Sequence, residues 1–160
     1  MKSIIIYATR YGCTAEVAKR IQKGLGSDCT LVNIMTEKMP PLDSFDTVIL
    51  GGSVYIGKVQ KELTSFVNKN LKQLLSKRIG LFLCAGTPKQ EDRDKELQGA
   101  FPPELLTHAA AKDVLGYAFT FENMRFFDRL IMKKIKGDAI STSQYYDKRI
   151  SLLVKALSVK

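Results

Sequence analysis

Short apolar runs rich in isoleucine, valine and leucine alternate along this chain with longer segments whose apolar residues recur at helical spacing. Runs of that kind are apolar on both faces, unlike a half-exposed antiparallel strand, and they predict a parallel sheet covered on both sides by helices. Five strands are predicted: Ser3–Ala8, Cys29–Ile34, Thr47–Gly51, Ile79–Ala85 and Val114–Phe119. Between them, Ala15–Leu25 gathers Val17, Ala18, Ile21 and Leu25 on one side, and Gln60–Leu75 does the same with Leu63, Phe66, Val67, Leu71 and Leu74. A final helix is expected at Lys148–Leu157, with Ile150, Leu153, Val154 and Leu157 on its apolar face. The connection Met35–Ser44 carries Pro40-Pro41 and reads as a loop or short turn, while the charge-rich Thr87–Ala110 is expected to hold one helix. The fold class expected is α/β, a doubly wound five-stranded parallel sheet with helices on both faces, as one domain over residues 1–160.

One segment, at about residues 122–138, adds to that plan. As a helix, Met124–Lys136 sets Met124, Phe127, Leu130, Ile131 and Ile135 on one side and Arg125, Arg129, Lys133 and Lys136 on the other. Such a basic amphipathic helix either packs on the core with a solvated basic face or lies at anionic headgroups, each cation attracted by about 1 kcal/mol. Asp128 is expected to pair with the adjacent Arg129. The formal net charge of +9 favours anionic partners. The cations are dispersed and no nucleic-acid motif is present, so no nucleic acid is expected as a partner.

Candidate side-chain chemistry is sparse. A single histidine, His108, removes most zinc and triad chemistry. Three cysteines without CxxC spacing suggest neither a disulfide framework nor a metal site, and fit reduced thiols in a cytosol. No apolar run approaches the roughly 18 residues of a membrane span, and no signal-peptide pattern is visible, so a cytoplasmic location is expected. Any redox chemistry therefore needs a borrowed cofactor. His108, Cys29, Met35, Met39 and Met132 are assigned ordinary packing or surface roles.

The first strand runs straight into Thr9-Arg10-Tyr11-Gly12-Cys13-Thr14 and then into a helix. That order presents hydroxyls and free backbone N–H groups at a helix N-terminus, where the dipole stabilises an anion and Gly12 permits close approach. Neither GxxxxGK[ST] nor GxGxxG occurs, so an NTPase loop and a dinucleotide fingerprint are both unsupported. If only Gly12 and Thr14 were at issue, a turn and a helix cap would explain them. The whole stretch Ile5–Thr14, followed by Ala18 and Ile21, resembles the FMN-phosphate motif of flavodoxins. The resemblance implies FMN as cofactor, with Thr9, Arg10, Tyr11, Gly12, Cys13 and Thr14 at its phosphate, Cys13 as a small loop filler.

Doubly wound sheets bind ligands beyond the carboxyl ends of their strands. Two more loops should therefore meet the flavin: Ser53-Val54-Tyr55-Ile56-Gly57, where Tyr55 either stacks on the ring or is a core tyrosine in a turn, and Cys84-Ala85-Gly86-Thr87, with Cys84 in the core. Gly52–Gly57, together with Gly116–Phe119 leading into Met124–Lys133, is similar to the menaquinone-dependent protoporphyrinogen IX dehydrogenases. Ordinary flavodoxins do not carry that second segment, whereas Thr87–Pro103 resembles the dehydrogenase family poorly. The resemblance implies an enzyme, a quinone-dependent FMN oxidoreductase that converts protoporphyrinogen IX to protoporphyrin IX in haem biosynthesis. The flavin would carry the chemistry, so no catalytic side chain is expected. Arg125, Phe126, Phe127, Arg129 and Lys133 would form a face for the anionic tetrapyrrole or for an anionic membrane, with peripheral contact at the inner face of the cell membrane. A flavodoxin electron carrier and an NAD(P)H-dependent quinone reductase are the alternatives.

Overall fold

The computed structural model describes residues 1–119, 125–137 and 141–159. The predicted Met124 falls outside them. Six strands form one sheet: β1 (Ser3–Tyr7), β2 (Cys29–Asn33), β3 (Thr47–Ser53), β4 (Arg78–Cys84), β5 (Ala111–Phe119) and β6 (Thr142–Tyr145). Their order is β2-β1-β3-β4-β5-β6, with β1 to β5 parallel and β6 antiparallel on the outer edge of β5. The helices are α1 (Cys13–Leu25), α2 (Lys61–Leu74), α3 (Gln90–Ala100), α4 (Pro103–His108), α5 (Phe126–Lys136) and α6 (Asp147–Ser158).

Side-chain alternation along the strands makes two cores. Ile4, Ile6, Val48, Leu50, Leu81 and Leu83 face α2, α3 and α4 through Leu63, Val67, Leu97 and Leu105. Ile5, Ile49 and Phe82 face α1 and α6 through Val17, Ile21, Ile150, Leu153 and Leu157. Burying each such side chain stabilises the fold by about 1.5–3 kcal/mol. The near-continuous apolar runs of β1, β3 and β4 follow from this two-sided burial.

Three expectations change. The sheet has six strands rather than five, because Thr142-Ser143-Gln144-Tyr145 pairs with Gly116–Phe119. An edge strand needs neighbours on one side only, and its first three residues are exposed, so it carries no apolar run to announce it. Thr87–Ala110 holds two helices rather than one. Phe101-Pro102-Pro103 divides it, since Pro102 cannot continue α3 and Pro103 is well placed to open α4. The fifth strand starts at Ala111, three positions before the predicted Val114. Met35–Ser44 does lack a long helix and contains one 3-10 turn at Leu42–Ser44.

Candidate functional site

Beyond the carboxyl ends of β1 and β3, where the order of strands reverses, the chain makes a tight turn into α1. Gly12 sits at φ 96°, and its N–H donates to Thr9 Oγ1 at 2.9 Å. That bond shapes the loop before any ligand arrives. No side chain caps α1, so its first N–H groups point outward as an anion-binding end. Thr14, at the second helical position, is fully buried, and its hydroxyl makes no well-formed hydrogen bond, with the weak Cys84 thiol beside it. The Thr87 hydroxyl, beyond β4, is likewise buried without a partner. Orphaned hydroxyls of this kind cost about 1–3 kcal/mol each unless a ligand satisfies them.

The loop after β3 is a hairpin. Tyr55 and Lys58 exchange backbone hydrogen bonds of 2.8 and 3.1 Å, and the two residues between them, Ile56 and Gly57, have φ of 49° and 70°. A pair of positive φ values suits a type I′ turn, but a β-branched residue pays about 1–3 kcal/mol to adopt one, and strain of that size gathers at ligand loops. Ile56 is also exposed.

Nine of the predicted cofactor residues, Arg10, Tyr11, Cys13, Ser53, Val54, Tyr55, Cys84, Ala85 and Gly86, surround one cavity of about 60 Å³. Sequence reasoning missed three others that line it: Tyr117 and Ala118 from β5, and Met132 from α5. Thr9 and Ile56 line a neighbouring open groove of about 670 Å³ with Arg125. Gly12, Thr14, Gly57 and Thr87 lie in the same loops without lining either space. Arg10, Tyr11 and Tyr55 belong to both linings, so those three side chains are the wall between cavity and groove.

Asp128 holds that wall together. Its carboxylate accepts from Arg10 Nε at 3.0 Å and Nη2 at 2.7 Å, from Tyr55 Oη at 2.6 Å and from the Tyr11 hydroxyl. The Arg10 guanidinium also lies 4.6 Å from the Tyr55 ring centroid, so one face of the ring that was expected to stack on a flavin carries a cation. The ion pair shown at Asp128 is with Arg10, and with the bond from Tyr55 it ties α5 to both predicted cofactor loops. One signal was available, since Asp128 is the only acid between Arg125 and Lys136.

On α5 the side turned toward the cavity is Asp128 and Met132. Leu130, Ile131 and Ile135, the apolar side expected either to pack on the core or to meet headgroups, are exposed, as is Phe126 at 69%. Arg125, Arg129 and Lys133 stand among them on the outer surface. The Phe127 side chain lies outside the described residues.

Burial alone would raise the Asp128 carboxyl. The hydrogen bonds from Tyr11 and Tyr55 and the Arg10 charge outweigh it and hold the group below its ordinary 3.8. Burial and the bond to Asp128 push the Tyr55 phenol up to about 12. The contribution of Asp128 is therefore present above the ordinary carboxylate range and lost as pH falls through its lowered value. That of Tyr55 is complete below 10.0 and lost as pH rises through about 12. The hydrogen bond from Tyr55 to the Asp128 carboxylate therefore persists across neutral pH. In an Asp128→Asn variant the Tyr55 titration moves down from about 12 toward 10.0, as read by tyrosinate absorbance against a Tyr55→Phe control; an unmoved titration would show that Asp128 does not govern the phenol.

A family model for the flavodoxin domain matches residues 4–145. No curated protein matches the chain. Among solved structures, the flavodoxin, WrbA-like protein from Agrobacterium tumefaciens is 18% identical with a TM-score of 0.54, covering 98% of this chain and 96% of its own. A Fusobacterium nucleatum flavodoxin bound to flavin mononucleotide is 14% identical with a TM-score of 0.54, covering 97% and 96%. A flavodoxin from the domain Archaea is 16% identical with a TM-score of 0.51, covering 97% and 99%. At these identities the likeness to the solved structures is one of fold, and it runs the length of both chains. The family match spans most of the sequence, from the first residues of β1 to the last residue of β6. The chain belongs to the flavodoxin domain family.

Proposed function

We propose that this protein binds FMN and uses it to oxidise protoporphyrinogen IX to protoporphyrin IX with a quinone as acceptor. The fit of the cofactor rests on the open N-terminus of α1 and the orphaned hydroxyls of Thr14 and Thr87. The α1 end, with Thr9, Arg10, Tyr11, Gly12, Cys13 and Thr14, would hold the phosphate. Ser53–Gly57 and Cys84–Thr87 would border the ring. When bound, the flavin supplies two-electron redox chemistry at its ring. The side chains supply position and shelter: Thr9 fixes the turn at Gly12, and the Arg10–Tyr11–Tyr55–Asp128 wall shields the cavity from the groove. Arg10, Tyr11 and Tyr55 line both the cavity and the groove, so a ring seated there would meet all three side chains.

The observation that carries the dehydrogenase reading is α5 itself. It combines an inner side joined to the cofactor loops with an outer surface that is both apolar and cationic, through Phe126, Leu130, Ile131, Ile135, Arg125, Arg129 and Lys133. Such a surface suits an apolar macrocycle bearing propionates, and a lipid surface from which a quinone is drawn. Among the described residues no helix is long and apolar enough to cross a membrane, so the contact proposed is peripheral.

The test is anaerobic: the FMN-loaded protein is given protoporphyrinogen IX and a menaquinone analogue, and porphyrin fluorescence is followed. Quinone-dependent appearance of protoporphyrin above a no-enzyme control is the result expected. Tight FMN binding with no porphyrin would move the electron-carrier reading ahead, and failure to bind FMN would overturn the cofactor.

A further inference from the structure

Two of the three cysteines meet at the floor of the cavity. Cys84 is the last residue of β4, and strand alternation puts it on the same side of the sheet as Phe82, facing α1. Cys13 is the first residue of α1, the end of the helix that overhangs the carboxyl ends of the strands. Both belong to one buried cluster with Ile5, Val17 and Leu115, and both line the same cavity. Both thiols are free and buried, and Cys13 is the neighbour that most affects the Cys84 thiol.

We infer that Cys13 and Cys84 are a modification site, a dithiol that a hydroperoxide closes to an intramolecular disulfide. The inference concerns the protein before FMN is bound, because the proposed cofactor would border the same two residues. The cavity suits the oxidant: about 60 Å³ admits a solute the size of hydrogen peroxide, and its rim includes the exposed Gly86 and the half-exposed Arg10. Cys13 stands at the N-terminus of α1, where the helix end favours a thiolate, and that position assigns it the first attack, while contact with Cys13 and burial push the Cys84 thiol well up.

The steps balance. Cys13 gives its proton to water, and its thiolate attacks one peroxide oxygen; the O–O bond breaks, hydroxide leaves and takes up a proton, and Cys13 becomes a sulfenic acid. The Cys84 sulfur then attacks the Cys13 sulfur, the S–S bond forms, the S–O bond breaks, and the hydroxyl leaves as water with the Cys84 proton. Two thiols lose two electrons and one peroxide becomes two waters. The new bond would tie the start of α1 to the end of β4 across the cavity floor. Cys29 supplies an internal control: it begins β2 in register with Ser3, at the opposite end of the strands, and burial pushes its thiol up to about 11.

The experiment treats the purified, FMN-free chain with a slight excess of hydrogen peroxide, denatures it in N-ethylmaleimide and maps the peptides. The result expected is a Cys13–Cys84 linked peptide, maleimide on Cys29 alone, and reversal by dithiothreitol. Cys29→Ser should keep the link, and Cys84→Ser should leave a Cys13 sulfenic acid that dimedone traps. Full alkylation of all three thiols, a link to Cys29, or sulfinic acid at Cys13 without a link would overturn the inference. Should Cys84→Ser fail to fold, the peptide map of Cys29→Ser decides alone.

Discussion

Replacing Gly51 by alanine should destabilise the protein by about 3 kcal/mol, at the upper end of the usual cost of overfilling a core. Gly51 lies in the middle of the sheet, paired with Tyr7 on β1 and Phe82 on β4. A Cβ built there would come within 2.0 Å of Phe82 Cζ and 2.2 Å of Cε1. Real Cβ atoms do not approach so closely, so the ring must leave its place, and Phe82 is fully buried between strands and helices. The opposing effect is small: with an ordinary strand backbone, glycine to alanine gains about 0.4–1 kcal/mol by restricting the unfolded chain. The clash wins. For a domain of this size each kcal/mol moves the midpoint by about 2–4 °C, so a fall of roughly 6–12 °C is expected in a thermal melt. A Gly51→Ala, Phe82→Leu double variant should be more stable than Gly51→Ala alone, because the ring that collides is gone and the two sites are coupled through one contact. Equal stability of the two would show that the strain lies elsewhere.

Local sequence reveals what is buried on two sides. Ile4-Ile5-Ile6 and Val48-Ile49-Leu50 are apolar at every position because each strand is covered above and below. Helices α1, α2 and α6 announce themselves by period. The edge strand β6 is silent because half its surroundings are water, and the division of α3 from α4 turns on Phe101-Pro102-Pro103, where proline chemistry had to outrank the charge pattern. The site divides the same way. Residues adjacent in sequence, Thr9–Thr14 above all, could be read together since one turn and one helix end create their chemistry. Asp128 could not, because its meaning comes from Arg10 and Tyr55, 118 and 73 positions away. The shared cavity of Cys13 and Cys84 is likewise a product of strand order, which sets β4 one strand away from β1 and on the sheet that α1 covers.

Replacing Thr14 by valine should separate the anion site from the fold that carries it. Valine keeps the β-branched shape and removes only the hydroxyl, which in the unliganded protein is buried without a well-formed hydrogen bond. Losing an orphaned group of that kind is nearly neutral or mildly stabilising, so the melting midpoint of the unliganded variant should hold or rise. Cofactor affinity should move the other way. A hydrogen bond to a charged group contributes about 1.5–3 kcal/mol, and at about 1.4 kcal/mol per tenfold change the FMN dissociation constant should rise about 10- to 100-fold. The uncapped end of α1 still offers its N–H groups and dipole, so binding weakens without vanishing. Riboflavin, which lacks the phosphate, distinguishes the cause in a fluorescence-quenching titration. If Thr14 acts on the phosphate, riboflavin affinity is unchanged between the two proteins while FMN affinity falls; a parallel fall in both would mean that the hydroxyl shapes the ring site, and the phosphate would have to be assigned to another part of the loop.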